Sequence, residues 1–165
     1  MKMKEILIYI AIVLALVVVD QLSKYLAFKF LTPYESYRCI PHVIRFDLLY
    51  NQGAVFGILQ KKQILFFIVT AIGLGAFTYL LTKGSIKDYP FYTIGLLLMI
   101  GGTIGNFIDR LLSLFPATGI EGVRDFITFD FFNFASFNFA DMCMCCGIVM
   151  LAIDVIFGEV VSQWK

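Results

Sequence analysis

Long apolar runs, separated by more polar connections, set the pattern of this chain. A helix needs roughly 20 largely apolar residues to cross a bilayer, and four runs reach or approach that length. They span residues 6–19, 63–82, 89–108 and 139–157. The second and third contain no charged residue, and the fourth contains only Asp141 and Asp154. The pattern predicts an all-α membrane protein with four transmembrane helices, in a single domain over residues 1–165.

Two long connections, about residues 31–62 and 113–138, are predicted on one side of the membrane, because successive spans alternate in direction. Residues 43–50 show a partial strand-like alternation. Residues 51–57 follow with two glycines and a turn-prone asparagine. These features predict a small β-sheet over the helix ends. The second connection is rich in phenylalanine and is predicted to form an interfacial segment.

Composition supports a membrane protein. The chain is 60% hydrophobic and only 15% charged, whereas a soluble domain carries about 25% charged residues. A net charge of +1 leaves no basic patch of the size that binding nucleic acid requires. The N-terminal Met-Lys-Met-Lys and its apolar run resemble a secretory signal peptide, but no small-x-small cleavage site follows. We therefore expect an uncut first anchor helix.

The cysteine and histidine residues do not indicate a metal site. Cys143, Cys145 and Cys146 crowd one turn of the fourth run, and Cys39 is distant in sequence. This spacing does not match a paired Cys-x-x-Cys site, and cysteine in an apolar helix behaves as a small hydrophobe. His42 lies in a loop and is expected to be a solvated or interfacial residue. We expect no metal and no cofactor.

Charged residues occur at three helix ends that the topology places on one side. Asp20 ends the first run, Asp109 and Arg110 end the third, and Asp141 opens the fourth. Ionisable groups at membrane depth are costly and usually face a partner, a cavity or a substrate. Asp20 and Lys24 are four residues apart with the acid first, the favourable order on a helix. An interfacial ion pair and a role in holding substrate both stay open for them.

The third run combines small and polar residues. Gly101 and Gly105 form a small-xxx-small pair that lets a neighbouring helix approach closely, and we assign it to packing. Asn106, Asp109 and Arg110 can share one side of the next turn. We expect Asp109 and Arg110 to neutralise each other in a buried network that joins helices.

Asp125 and Asp141 suggest chemistry. If the fold brings them together, their charges repel, one pKa rises, and the pair holds a single proton at neutral pH. The ionised carboxylate can then deprotonate water while the protonated one polarises a carbonyl. This is the logic of aspartic proteases and needs no metal. Two unrelated acids at a wet membrane edge are the competing interpretation, which spacing alone leaves open.

Other acids are set apart from this pair. Asp154 lies roughly 20 Å from Asp141 along the helix, at about 1.5 Å per residue. It is therefore expected near the opposite face and excluded from the site. Asp47 and Asp130 are interpreted as loop acids.

Five short motifs occur in order between about residues 19 and 141. They are Val19-Asp-Gln-Leu-Ser-Lys24, Asn51-Gln-Gly-Ala-Val-Phe-Gly57, Gly105-Asn-Phe-Ile-Asp-Arg110, Val123-Arg-Asp-Phe126 and Phe137-Asn-Phe-Ala-Asp141. Each motif is weakly specific, but the ordered set at suitable helix ends resembles the lipoprotein signal peptidase (signal peptidase II) family. With the four spans, the resemblance covers nearly the whole chain.

The resemblance implies a bacterial inner-membrane aspartic endopeptidase. Its substrates are prolipoproteins, from which it removes the signal peptide just before a cysteine that carries diacylglyceryl. By the motif match, Asp125 and Asp141 are the catalytic pair. Further residues are implied to line or brace the site: Asp20, Lys24, Asn51, Gly53, Asn106, Arg110 and Asn138.

The resemblance also implies an orientation that charge counting leaves undecided. The termini are expected in the cytoplasm, and the active site and the extracytoplasmic β-sheet toward the outer face of the inner membrane. Inhibition by globomycin is implied. We expect a monomer whose partners are the diacylglyceryl prolipoprotein and membrane lipid.

Two features depart from the family pattern. Arg124 stands beside the first catalytic aspartate; a guanidinium close to Asp125 would lower its pKa and favour Asp141 as the protonated partner. The segment before Asp141 is unusually aromatic.

Two other functions stay open from the residues alone. One is a small proton-coupled membrane transport protein, although four helices without a broken span or inverted repeat argue against it. The other is a non-catalytic membrane assembly factor.

Overall fold

The computed structural model describes residues 2–33, 35–53, 63–132 and 134–157. Four long helices dominate it: α1 (Met3–Phe30), α2 (Gln63–Leu81), α3 (Pro90–Leu112) and α4 (Phe139–Phe157). Each is long and apolar enough to cross a membrane. The predicted four-span architecture is confirmed, and the chain is a multi-pass membrane protein. The part of the predicted loop 51–57 that follows Gly53 lies outside the described residues.

Helix α1 is longer than the apolar run that predicted it. It continues to Phe30, because the residues after Lys24 are again mostly apolar. At 1.5 Å per residue this helix is roughly 40 Å long, more than the hydrocarbon core of a bilayer. Asp20 and Lys24 therefore lie inside the helix, one turn apart, and both are buried.

Helix α3 lies at the centre of the bundle and packs against the other three helices. Pro90 occupies its first turn, where the missing N–H costs nothing. Leu96 and Leu97 are fully buried in the core. Residues such as Ile72 on α2 are largely exposed instead, as expected of side chains that face lipid. The polar end of α3 is therefore held at the middle of the molecule.

Glycines on α3 allow its neighbours to approach closely. A Cβ at Gly101 would lie 2.9 Å from a side chain of α1, and one at Gly102 would meet the carbonyl oxygen of Ala140. The predicted small-xxx-small contact is confirmed, with Gly102 as an addition. A Cβ at Gly105 would lie 2.5 Å from Oδ2 of Asp20. The assignment of Gly105 to packing is therefore confirmed, and the group that it makes room for is a buried carboxylate.

A three-stranded antiparallel sheet covers the helix ends, in the order β1 (Tyr37–Ile40), β2 (Ile44–Asn51) and β3 (Val123–Phe129). Strand β2 confirms the strand predicted over residues 43–50. Its pairing with β3 is irregular between Phe46 and Leu49, after which Leu49 lies opposite Asp125. Asp47 belongs to β2, so its assignment to a loop is wrong. It pairs with Arg45 two residues earlier.

The segment before α4 is attached to β3. The carbonyl oxygen of Phe137 accepts the N–H groups of Phe126 at 3.1 Å and Ile127 at 2.9 Å, and the N–H of Phe137 donates back to Ile127. These bonds join the strand that carries Asp125 to the start of the helix that carries Asp141.

Candidate active site

The structure brings Asp125 and Asp141 into one site. Asp125 lies on β3 and is 1% exposed, while Asp141 is half-buried in the first turn of α4. Asn138 contacts both. Its Nδ2 donates to Oδ1 of Asp125 at 2.6 Å, and its backbone N–H donates to Oδ2 of Asp141 at 3.1 Å. The two carboxylates are neighbours in the fold, as an acid–base pair requires.

A capping arrangement at the start of α4 holds Asp141. Asn138 precedes the first helical residue, and its Oδ1 accepts the N–H of Asp141 at 3.1 Å. The Asp141 carboxylate accepts the N–H of Asn138 in return. This reciprocal pair is the geometry of a capping box. It fixes the rotamer of Asp141 and places its charge at the positive end of the helix dipole.

Asn106 on α3 supports the same carboxylate from the other side. Its Nδ2 donates to Oδ1 of Asp141 at 2.8 Å. Its Oδ1 accepts from Nζ of Lys24 at 3.0 Å and from Nδ2 of Asn138 at 3.1 Å. The buried Lys24 ammonium therefore fixes which way the Asn106 amide faces, because only the oxygen can accept. Asn106 then has to donate toward Asp141.

Asn51 and Gly53 close the site on the sheet side. Nδ2 of Asn51 donates to Oδ2 of Asp125 at 3.1 Å. Oδ1 of Asn51 accepts the backbone N–H of Gly53 at 3.2 Å, as in an Asx turn. The turn orients the asparagine amide, and the amide in turn orients Asp125.

Burial and the nearby charge of Asp141 raise the pKa of Asp125 to about 7. Hydrogen bonds from Asn51 and Asn138 act in the opposite direction, because both favour the carboxylate. Burial prevails, so Asp125 is partly protonated near neutral pH.

Beneath the pair lies a buried charge cluster, formed by Asp20, Lys24, Asp109 and Arg124. Nζ of Lys24 lies 2.8 Å from Asp20 and 3.3 Å from Asp109. The guanidinium of Arg124 lies 2.7 Å from Asp109. Two cations face two anions in a place where unpaired charge is strongly disfavoured. The cluster ties α1, α3 and β3 together directly below the site.

The predicted neutralisation of Asp109 by Arg110 is wrong. Asp109 pairs with Lys24 and Arg124 instead. Consecutive residues on a helix point in directions about 100° apart. Asp109 therefore faces α1 and β3 while Arg110 lies 4.8 Å over the ring of Phe66 on α2. Arg110 still acts electrostatically on Asp125 and Asp141.

Arg124 points away from Asp125. Its guanidinium donates to Asp109 at 2.7 Å and to Oε1 of Gln21 at 2.8 Å, and its backbone N–H donates to Asp109 at 2.9 Å. Neighbouring residues of a strand face opposite sides, which explains the separation. The condition under which Arg124 would lower the pKa of Asp125 is therefore not met.

Gln21 was not singled out from the sequence. Its Nε2 donates to Asp20 and to the Gly105 carbonyl oxygen at 3.0 Å each, and to Asp109 at 3.3 Å. With its oxygen facing Arg124, this side chain connects both acids of the charge cluster. Its position beside Asp20 in the first motif was the available signal.

A pocket of about 230 Å³ lies next to Asn51, which donates to Asp125. Its walls are Asn51, Gln52, Phe66, Arg110, Ser113, Glu121 and Gly122. Arg110 supplies it with a cation, and Phe66 with an apolar wall.

Asp154 lies near the end of α4 opposite the pair and is buried, in keeping with its exclusion from the site. Asp130 follows β3 directly and pairs with Arg38 and Arg45. Among the described residues, no group of three His, Cys, Asp or Glu side chains is arranged to hold a metal ion.

Comparison with known proteins gives a consistent result. A family model described as signal peptidase (SPase) II matches residues 12–157. The lipoprotein signal peptidase of Caldanaerobacter subterraneus subsp. tengcongensis is 37% identical over 148 residues, covering 90% of this chain and 95% of that protein. The lipoprotein signal peptidase of Lactobacillus gasseri is 35% identical over 158 residues, covering 95% and 97%.

Two solved structures, each described as a bacterial membrane enzyme studied by the in meso method, share the fold. The first, at 2.3 Å resolution, has a TM-score of 0.76 and 32% identity, covering 95% of this chain and 91% of that one. The second, at 1.9 Å, has a TM-score of 0.74 and 33% identity, covering 89% and 91%.

Proposed function

Since the chain belongs to the signal peptidase II family, which removes signal peptides from prolipoproteins, we propose that Asp125 and Asp141 are its catalytic pair. The observation that carries the proposal is the contact of Asn138 with both carboxylates. Together with the raised pKa of Asp125, it supports a pair that holds one proton. The enzyme is then a protease of the aspartic type.

Asp125 is proposed as the acid and Asp141 as the base. Asp125 is buried, and its pKa of about 7 favours retention of the proton. Asp141 is half-buried at the helix N-terminus and accepts from Asn106 and Asn138. These contacts orient its carboxylate oxygens, and its partial exposure lets it meet water.

The reaction follows from these two states. Asp141 removes a proton from water while Asp125 donates its proton to the carbonyl oxygen of the scissile peptide. The oxygen of the water bonds to the carbonyl carbon and gives a tetrahedral diol. Asp141 then passes its proton to the leaving nitrogen, and Asp125 takes one back from a hydroxyl as the C–N bond breaks. No covalent intermediate with the protein forms.

The seven surrounding residues divide into three groups under this proposal. Asn51, Asn106 and Asn138 orient the carboxylates through the contacts described above, and Gly53 fixes Asn51. Asp20 and Lys24 form the base of the site: Asp20 accepts the N–H of Ala140 at 3.0 Å, and Lys24 orients Asn106. Arg110 stands in the pocket wall, where its donors can hold a carbonyl of the bound peptide.

We propose that the scissile bond precedes a cysteine carrying diacylglyceryl. The described site lies where the spans end and the sheet begins, so a signal helix can pack against the spans while its lipidated end reaches the pair. The location is proposed as the bacterial inner membrane, with cytoplasmic termini. A single chain contains every proposed group, which fits a monomer, and globomycin is the proposed inhibitor.

The direct test replaces each acid with its isosteric amide. Asp125→Asn and Asp141→Asn should each lower cleavage of a diacylglyceryl-modified precursor by about 10²-fold or more, with thermal unfolding close to that of the parent chain. Asp88→Asn is the matched control, because Asp88 is exposed in the link before α3. Full cleavage by either site variant would refute the assignment.

The proton-transport alternative is not favoured, because the family match and the named relatives concern signal peptidases. Proton flux through vesicles containing the Asp125→Asn variant provides a separate check. Flux that depends on Asp125, without any precursor cleavage by the parent chain, would restore that alternative.

A further inference from the structure

An aromatic cluster lies between the end of β3 and the start of α4. It consists of Phe129, Phe131, Phe132, Phe134 and Phe137, whose neighbouring ring centroids are 4.7 to 6.3 Å apart. Phe131, Phe132 and Phe134 are 61%, 47% and 53% exposed. A contiguous exposed aromatic surface of this kind marks an interaction site.

We propose that the aromatic cluster docks on lipid at the headgroup–acyl boundary of the leaflet nearest the sheet, and thereby sets the depth of the carboxyl pair. The last ring of the cluster, Phe137, lies two residues before the membrane-spanning helix α4, which begins at Phe139. The rings therefore lie near the level at which that span begins. Amphipathic elements place such apolar rings at this depth of a bilayer.

Charged groups lie next to the cluster. Asp130, between Phe129 and Phe131 in the sequence, pairs with Arg45 at 3.1 Å and Arg38 at 3.5 Å, and Arg38 is 70% exposed. Arginine side chains near a bilayer lay their stems along apolar surface and keep their charged heads in water. An exposed arginine beside exposed rings is therefore consistent with a boundary between lipid and water.

Backbone bonds connect the cluster to the site. Phe137 bonds to Phe126 and Ile127, the two residues that follow Asp125. Asn138, which follows Phe137, contacts both carboxylates. Displacement of the ring of Phe137 therefore displaces the groups that align the pair.

Two further contacts join the cluster to the segments that carry the carboxyl groups. The hydroxyl groups of Thr128 and Ser136 lie 2.8 Å apart, and Phe129 packs on Phe137 with a centroid distance of 5.0 Å. Lipid contact at the rings fixes the height at which a substrate in the same bilayer meets the pair. This consequence rests on the proposed function, whereas the lipid contact does not.

Tryptophan fluorescence in the full chain tests the contact. Trp164 is the one tryptophan of the sequence, so Trp164→Phe gives a silent background for Phe132→Trp. In vesicles, bromine on the acyl chain near the glycerol should quench Trp at position 132 more than bromine near the chain end. Ile72→Trp, on the exposed face of α2, is the deep control with the opposite order.

Two outcomes of that experiment would overturn the docking proposal. One is quenching of the Phe132→Trp reporter by aqueous iodide with no quenching by either lipid. The other is lipid quenching that arises only when precursor is added, which would assign the rings to the substrate. Neither readout needs catalysis, so both stay informative if the carboxyl pair has another role.

Cleavage assays test the depth effect. Phe131→Ser combined with Phe132→Ser should lower precursor cleavage in lipid bilayers by about fivefold or more, because small displacements of reacting groups cost large factors in rate. In detergent micelles, which adapt around the protein, the loss should stay under about twofold. Phe157→Ser, an exposed phenylalanine at the far end of α4, should change neither rate. Equal losses in micelles and bilayers would refute the depth effect, because they would indicate a structural defect.

Discussion

At the residue scale, the two acids of the site differ in their surroundings. Asp125 is buried on strand β3, and Asp141 is half-buried at a helix N-terminus. Burial disfavours the charged form of a carboxyl group, and the helix dipole favours it. Two chemically identical side chains therefore occupy different environments, and Asn138 contacts both of them.

The alkaline limb of the activity profile should report Asp125. Its pKa of about 7 means that the protonated acid disappears as the pH rises through that value, so kcat/KM should fall above about pH 7. Asn51→Leu removes a hydrogen bond that favours the carboxylate. The pKa of Asp125 should then rise further, and the limb should move to higher pH. A limb that moves to lower pH in Asn51→Leu would contradict this assignment.

Stability should follow the same group. A folded-state pKa of about 7, raised from 3.8, means that folding favours the protonated form. The resulting stabilisation is complete below about pH 4 and is lost as the pH rises through 7. Thermal unfolding of the parent chain between pH 5 and 8 should therefore show a decline that Asp125→Asn, a permanently neutral mimic, does not show. Identical slopes would place the titration elsewhere.

At the element scale, the cap of α4 is also part of the candidate active site. Asn138 satisfies the first turn through Oδ1 and holds Asp125 through Nδ2. Strand β3 reaches the same point through its bonds to Phe137. A helix start and a strand edge, each with its own local hydrogen bonds, therefore meet at one residue. The cap of α4 and the alignment of the two carboxyl groups therefore depend on the same residue, Asn138.

Substitutions at Asn138 should separate these two roles. Asn138→Ala removes the cap and the bridge, and should lower the free energy of unfolding by about 1–3 kcal/mol together with kcat. Asn138→Ser keeps a capping oxygen but lacks the amide donor. It should restore most of the stability without restoring kcat. Equal recovery of both quantities by serine would show that the bridge to Asp125 is unimportant.

The contact between α3 and α4 sets how close Asn106 comes to Asp141. Gly102 faces the carbonyl oxygen of Ala140, a backbone atom that cannot move aside as a side chain can. Gly102→Val should therefore separate the helices and cost about 1–3 kcal/mol, measured by thermal unfolding, with loss of cleavage. Gly75→Val is the control, because no atom lies within 4 Å of a Cβ at Gly75 on α2. Comparable losses in both variants would implicate a general effect of valine.

At the scale of the whole molecule, the polar groups gather at one end of the bundle. Three spans bring Asp20, Asn106 and Asp141 to the level where the sheet begins, and the sheet adds Asn51 and Asp125. The charge cluster below them is balanced, with two cations and two anions. Balanced charge lowers the cost of burying the site beside an apolar bundle.

The proposed orientation can be tested with cysteine labelling. Cys39 is exposed on β1, so in a chain carrying Cys143→Ala, Cys145→Ala and Cys146→Ala it should react with an impermeant maleimide on intact cells. A chain that also carries Cys39→Ala and Lys87→Cys, in the link before α3, should react only after permeabilisation. The reverse pattern would place the sheet in the cytoplasm.

Much of the architecture was predictable because membrane insertion imposes a pattern that is visible locally. A span needs an uninterrupted apolar run, and alternation of the spans puts the polar helix ends on one side. The resemblance carried by the ordered motifs pointed to Asp125, Asp141 and their asparagine partners as candidate site residues. The ends of α1 were less predictable, because apolar residues resume after the charges of Asp20 and Lys24.

Sequence reasoning was wrong about which charged residues form ion pairs. Asp109 and Arg110 are adjacent in sequence, yet the helix turns them toward different neighbours. The cations that pair with Asp109 are Lys24 on α1 and Arg124 on β3. Gln21 was overlooked because an uncharged side chain gives no expectation of an ion pair, although its position in the first motif was available as a signal.

The sequence alone determined the four spans, the strand-forming connection and the residue types from which a carboxyl pair could be built, because these depend on hydrophobic pattern and local spacing. The tertiary structure decided which carboxyl group is buried, which cation meets which acid, and that one asparagine links the two halves of the site. These choices depend on through-space distance and on exclusion of water. Both quantities are set only when residues far apart in the chain pack together.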